Sequence, residues 1–271
     1  MLPVGTSCSY TENEEIIINE ADSHTVNIQA RSSEEGVSID WPLKLYAFDS
    51  VGNLTSSTIV EETNTSSELK LNRGSYTLVA LAGTSGLALP DNPKLTDDIG
   101  ISQSCILTSA PQMAINGINV ESDDINTEMT LSYPVAQVIV KLTQMPIDVS
   151  NSTATLSPLY TSIAFNGTTS GNGSAEITLN KQNDGSWISS PTYVAPSSEN
   201  LSLTITADNE SYTITTTSKI EAGNIYEING TYKGEVTVTV SFDIKNWDTG
   251  NDINFDITGK EETNAVETNN Q

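Results

Sequence analysis

Apolar and polar residues alternate along most of this chain. Val26-Asn-Ile28-Gln-Ala30 places every second side chain on one face, and Leu43-Lys-Leu45-Tyr-Ala47-Phe48 does the same. The pattern returns in Tyr76-Thr-Leu78-Val-Ala80, Val138-Ile-Val140-Lys-Leu142, Leu201-Ser-Leu203-Thr-Ile205 and Tyr212-Thr-Ile214. It recurs late in Val236-Thr-Val238-Thr-Val240 and Ile253-Asn-Phe255-Asp-Ile257. Successive strand side chains point to opposite faces, so this period of two predicts half-buried antiparallel strands. Clusters such as Asp49-Ser-Val-Gly52-Asn53 and Phe165-Asn-Gly167-Thr-Thr-Ser-Gly171-Asn-Gly173 predict the turns between them. No segment carries a long helical period. The expected class is all-β, a sandwich or barrel of many short strands.

Two strand starts share a device. Gly74-Ser-Tyr76 leads one strand and Gly223-Asn-Ile-Tyr226 another, with glycine free to bend and a tyrosine to fill the sandwich edge. This hints at duplication. A seam is expected near Asn126-Thr-Glu-Met129, which separates a first half, 24–128, from a second, 129–258. Residues 1–23 read as a leading segment and linker. Residues 259–271 have almost nothing to bury and predict a disordered polar tail.

Charge narrows the partners. The chain of 271 residues has 35 acidic and 11 basic side chains, a formal net charge of -24. A nucleic-acid phosphate backbone or an anionic membrane face needs clustered Lys and Arg, so both are excluded as ligands. The one histidine, His24, rules out multi-histidine metal sites and reads as an exposed residue ahead of the first strand. No Gly-x-Ser-x-Gly nucleophile elbow accompanies it. The pairs Asp97-Asp98 and Asp123-Asp124 offer carboxylates for glycosidic chemistry, but with 35 acids present a solvated surface is the simpler reading. The run from Asp248 to Asp256 misses the spacing of a calcium loop. Neither a metal nor a cofactor is implied, and the chain reads as a non-enzyme.

Two further features bear on function. Cys8 lies in Gly5-Thr-Ser7-Cys8-Ser and is followed by Glu12, Glu14 and Glu15. A small residue before a near-terminal cysteine resembles a bacterial lipobox, and the acidic stretch resembles a surface-export tag; the alternative is an unmodified cysteine in a frayed terminus. Cys105 has no neighbouring base in sequence and reads as a buried structural thiol. Among the tryptophans, Trp41 and Trp247 sit at strand ends as expected of core anchors. Trp187 follows the turn Asn183-Asp-Gly185-Ser and is expected to be more exposed, making Trp187 and Tyr193 the candidate ligand platform.

Several blocks, in order, resemble the fimbrillin superfamily, the pilins and the anchor and tip subunits of Bacteroidetes-type pili. They are Leu43 to Leu54, Arg73-Gly-Ser-Tyr76 to Gly83, Ala110-Pro-Gln-Met113 to Gly117, Met129 to Val140, and Ala222-Gly-Asn-Ile-Tyr226 with Phe242-Asp-Ile-Lys-Asn-Trp247. One departure is Ser132-Tyr133-Pro134, where members often carry arginine. The resemblance implies two tandem transthyretin-like, Greek-key β-sandwich domains. It also implies a lipid-anchored precursor at the outer membrane and cell surface, and partnership with other pilus subunits by β-strand exchange.

In polymerising members an arginine-directed protease removes the first strand. Arg31 is one of two arginines, and it stands in the polar turn Arg31-Ser-Ser-Glu-Glu-Gly36 directly after Val26 to Ala30. The removable strand would then be Val26, Ile28 and Ala30 with their polar neighbours; an ordinary surface arginine in a turn fits the same residues. A pilus subunit with an adhesive role toward host or bacterial surface glycans or proteins is the leading expectation. Its rivals are an outer-membrane glycan-binding lipoprotein and a two-carboxylate glycoside hydrolase.

Overall fold

The computed structural model describes residues 23–33, 38–62, 66–101, 104–121, 123–232, 238–246, 255–258 and 266–267. Strands dominate, as the alternation predicts. The chain begins with β1 (His24–Ser32), β2 (Leu43–Phe48), β3 (Leu54–Val60), β4 (Ser66–Leu71) and β5 (Gly74–Ala82). It continues with β6 (Ile106–Leu107), β7 (Gln112–Val120) and β8 (Ile125–Leu131). The second half opens with β9 (Ala136–Thr143), β10 (Ser152–Leu159), β11 (Ser162–Ile163), β12 (Thr169–Ser170) and β13 (Gly173–Lys181). Then come β14 (Trp187–Ile188), β15 (Thr192–Val194), β16 (Ser197–Ala207), β17 (Glu210–Thr215) and β18 (Asn224–Tyr232). The last are β19 (Val238–Asn246), β20 (Phe255–Thr258) and β21 (Val266–Glu267).

In the first half a four-stranded sheet, β3-β2-β5-β7, faces a three-stranded sheet, β4-β1-β8. Their inward side chains form one core that includes Val26, Ile28, Leu43, Leu45, Leu69, Leu78 and Met129. In the second half the path β17-β16-β10-β13-β14-β9-β18-β19 wraps around another core, with Val138, Val140, Leu142, Leu156, Ile177 and Leu203 inside. A third cluster joins the halves. Tyr46 and Phe48 on the outer face of β2 meet Phe165 edge-on, with centroids 5.1 and 5.6 Å away. Edge-to-face rings at this spacing add to the burial of their area.

Among the described residues most pairs are antiparallel, but two are parallel: β1 with β8 and β9 with β18. In each half the opening strand thus pairs with a strand far along the chain. Parallel pairs need long crossovers and carry no hairpin signature, so the periodicity does not announce them. The expected seam moves for a related reason. Asn126 to Met129 lie inside β8, so a boundary between 128 and 129 cuts a strand whose Met129 and Leu131 are buried in the first core. The chain passes to the second half between Leu131 and Ala136.

The turn chemistry follows the sequence. Asp49 accepts the backbone N–H groups of Val51 at 3.0 Å and Asn53 at 2.8 Å, while Gly52 takes φ +86°. At the second corner Gly223 takes φ +75° and the hydroxyl of buried Tyr226 accepts the Glu221 N–H at 2.8 Å. Burial pushes the Tyr226 phenol above its ordinary value, against the opposing pull of that hydrogen bond. The pair Asp97-Asp98 is likewise occupied by backbone. Asp97 accepts the Lys94 N–H at 2.8 Å, and one oxygen of Asp98 accepts the N–H groups of Gly100 and Ile101.

Candidate functional site: the first strand and the groove it fills

β1 is the middle strand of its sheet. Residues His24 to Gln29 pair antiparallel with Leu71 to Ser66 of β4. Residues Val26 to Ser32 pair parallel with Ile125 to Leu131 of β8. Between these neighbours Val26 and Ile28 are 0% and 2% exposed. They rest on Leu69 and Leu71 of β4, Met129 and Leu131 of β8, and the facing β2 and β5. Ala30, half-buried, continues the row. Full burial of an aliphatic side chain stabilises by about 1.5–3 kcal/mol, so Val26 and Ile28 together hold the strand by about 3–6 kcal/mol.

The other face of β1 is polar. Asn27 Nδ2 donates to Asn126 Oδ1 at 3.1 Å, and Thr25 N–H donates to Asp124 Oδ1 at 2.9 Å. Arg31 pairs with Glu128 across the solvent face. Both side chains are more than half exposed, so this ion pair adds little stability. His24 opens the strand half-buried, with its Nε2 buried and without a hydrogen-bond partner. This corrects the expectation of an exposed residue ahead of β1: pairing with Leu71 draws it into the sheet.

Arg31 needs a second correction. It is not in a turn but in β1, paired with Thr130 of β8. The alternation stops being apolar at Ala30, yet the backbone ladder runs on to Ser32, because pairing needs only N–H and C=O groups. The pairing with β4 ends at Gln29, so Arg31 is in register with one neighbour. Val26 and Ile28 thus fill one groove between β4 and β8, Ala30 continues the row beside β8, and Arg31 is exposed beyond it. The groove walls Leu69, Leu71, Met129 and Leu131 did not stand out in the sequence as a site. Their signal is the short alternations Leu69-Lys-Leu71 and Met129-Thr-Leu131.

The aromatic platform does not form. Trp187 is 3% exposed and sits in the second core, because the turn before it folds back to pair β14 with Leu142 and Lys141 of β9. Tyr193 pairs with Gln137 of the same strand, on its opposite face, and packs against the cluster joining the halves. The two β9 partners are about 17 Å apart along the strand. Trp41 packs against the first core, as expected, and Trp247 lies outside the described residues. Cys105 is fully buried, and burial pushes its thiol up. Cys8 lies outside the described residues, as do most of 259–271, of which Val266–Glu267 pairs with β20.

Comparison with known proteins gives concordant matches. Residues 107–247, more than half of the chain, match the family described as fimbrillin-like. Residues 42–104 match the family of fimbrillin-A associated anchor proteins Mfa1 and Mfa2. Comparison with curated protein sequences gives no match. Among solved structures, the fimbrial anchor protein Mfa2 from Porphyromonas gingivalis aligns with a TM-score of 0.65 at 16% identity, covering 84% of this chain and 99% of that one. An adhesin candidate from Bacteroides thetaiotaomicron aligns with a TM-score of 0.58 at 13% identity, over 84% and 98%. The tip fimbrial protein Mfa3 from Porphyromonas gingivalis, truncated at its C-terminus, gives 0.52 at 10% identity, over 83% and 100%. At such identities the structural likeness speaks for the fold.

Proposed function

Because the chain belongs to the fimbrillin-like family, we propose that it is an anchor- or tip-class subunit of a cell-surface pilus, with β1 as its exchangeable strand. The match to the anchor-protein family over residues 42–104 supports the anchor role. Lipidation of Cys8 would tether the precursor to the outer membrane. A cut after Arg31 would free His24 to Arg31 from the chain that follows. Loss of β1 would leave β4 and β8 apart by two strand spacings, about 9.6 Å, with unpaired ladder groups on both rims. A strand from another subunit would restore those hydrogen bonds and refill the alternate pockets, which is β-augmentation.

The single observation that carries this reading is the placement of β1: a central strand with two fully buried side chains and an exposed arginine at its end. The test is digestion of the purified chain with an arginine-specific protease, with mass spectrometry to locate a new N-terminus at Ser32. Arg31→Ala should abolish that fragment. The digested protein should then take up a peptide that repeats Val26 to Ala30, and refuse one with Asp at the Val26 and Ile28 positions. A cut body that binds both peptides equally, or neither, sinks the strand-exchange reading.

A further inference from the structure

The second half ends in a cleft of about 300 Å³ that plays no part in the β1 groove. Its walls are Met145 and Val149 of the loop after β9, with Tyr212 of β17 and Tyr232 at the end of β18. The two tyrosine rings meet edge-on, 6.2 Å between centroids and 75° between planes, and both rest partly buried on the second core. Asp148, Asp208 and Glu210 stand exposed on the rim. Beside them Ile147 is 91% exposed.

The loop that presents these groups is pinned from two sides. Lys181 Nζ donates to the carbonyls of Ile147 at 2.8 Å and Val149 at 3.3 Å. Asp208, at φ +48°, accepts the Ser150 hydroxyl at 2.7 Å and the Asn151 N–H at 3.0 Å. These four bonds hold the loop in place, with Ile147 in solvent beside the cleft.

We propose that this cleft is a docking site for a basic protein segment, which would place one Arg or Lys between the tyrosines and the rim carboxylates and an apolar neighbour against Ile147. Three lines select this occupant. The volume lies at the small end of ligand pockets and suits one long side chain rather than a drug-sized molecule. Aromatic faces and carboxylates together attract a cation, by ring quadrupole and by charge-assisted hydrogen bonds. The third is charge complementarity. Lys181, beside the loop, is committed to two carbonyls, stands 5.6 Å over the Trp187 ring and already acts on the Asp208 carboxylate, so the charge offered to a partner is that of Asp148 and Glu210. A second copy of a chain with net charge -24 would be repelled from this rim, so the partner is a different and basic protein. The site is independent of whether β1 is exchanged.

The test is heteronuclear NMR on the full chain, titrated with the capped tripeptide Leu-Arg-Leu, its citrulline counterpart, and methyl glycosides of common sugars. The arginine peptide should shift the amides of Asp208 to Tyr212, bind about tenfold more tightly than the citrulline peptide, and weaken as salt screens the rim. The surface double variant Asp148→Lys with Glu210→Lys should abolish these shifts with an unchanged melting temperature. Equal binding of the citrulline peptide, shifts caused by sugars instead, or no shifts up to about 10 mM peptide would overturn the proposal.

Discussion

Replacing Ile28 with Ala probes the groove directly. The substitution removes three carbons from a side chain 2% exposed at the centre of the β4-β1-β8 sheet. Transfer alone, at ~0.8 kcal/mol per carbon group, comes to about 2.4 kcal/mol. β1 is clamped between two strands and faces β2 and β5, so the walls cannot collapse into the space. The residual cavity raises the expected cost to about 3–4 kcal/mol, within the range for large-to-small core changes. For a chain of this size that lowers the melting temperature by roughly 6–16 °C. Calorimetry measures the shift, and hydrogen exchange of β1 amides locates it. Ile59→Ala on edge strand β3, where the side chain is 60% exposed, is the control and should stay within about 0.5 kcal/mol of the parent. A change of less than about 1 kcal/mol for Ile28→Ala would refute the idea that buried side chains hold β1 in its groove.

Three other outcomes follow from the same geometry. Trp187 Nε1 is buried with no hydrogen-bond partner, so in urea denaturation Trp187→Phe should lie within about 1 kcal/mol of the parent, while Trp187→Ala should lose about 3–5 kcal/mol. Gly100 takes φ +89°, and a Cβ there would lie 2.4 to 2.7 Å from the Ala88 backbone; Gly100→Ala should cost at least about 2 kcal/mol in the same assay. The Asp208 carboxyl is held below its ordinary value by the Ser150 hydroxyl first, then by the N–H groups of Ser150 and Asn151. Its folded value is thus below its unfolded one, so its contribution is full above the unfolded value near pH ~4 and is lost as pH falls through the folded value. Melting curves against pH should show a shallower acid decline for Asp208→Asn, which keeps tolerance of the left-handed backbone; an unchanged decline would reject that role.

Much of the fold is legible in the sequence because strand formation on a half-buried sheet is written locally. Leu43-Lys-Leu45 and Leu201-Ser-Leu203 carry their own period of two, and Asp49 to Asn53 carries its own turn. Both corner glycines announce themselves by their tyrosines. The order of blocks also points to the family. Burial is less legible at single residues, since it depends on what folds back over them. Trp187 follows a polar turn and looks exposed, but the turn lays it against Leu142. His24 looks peripheral, but its strand is clamped on both sides.

What the sequence determines by itself is which residues form strands and which face of each is apolar, since those depend on neighbours two positions away. It also marks Arg31 as a rare basic residue next to the first strand. What only the tertiary structure decides is which strands are neighbours. Val26 meets Ile125 across 99 positions, in a parallel pair that no hairpin could specify. That pairing makes β1 a central strand rather than an edge, carries Arg31 into the ladder, and turns four scattered residues, Leu69, Leu71, Met129 and Leu131, into the walls of one groove. The physical reason is that apolar burial is satisfied by any face of matching shape and says nothing of its address in the chain.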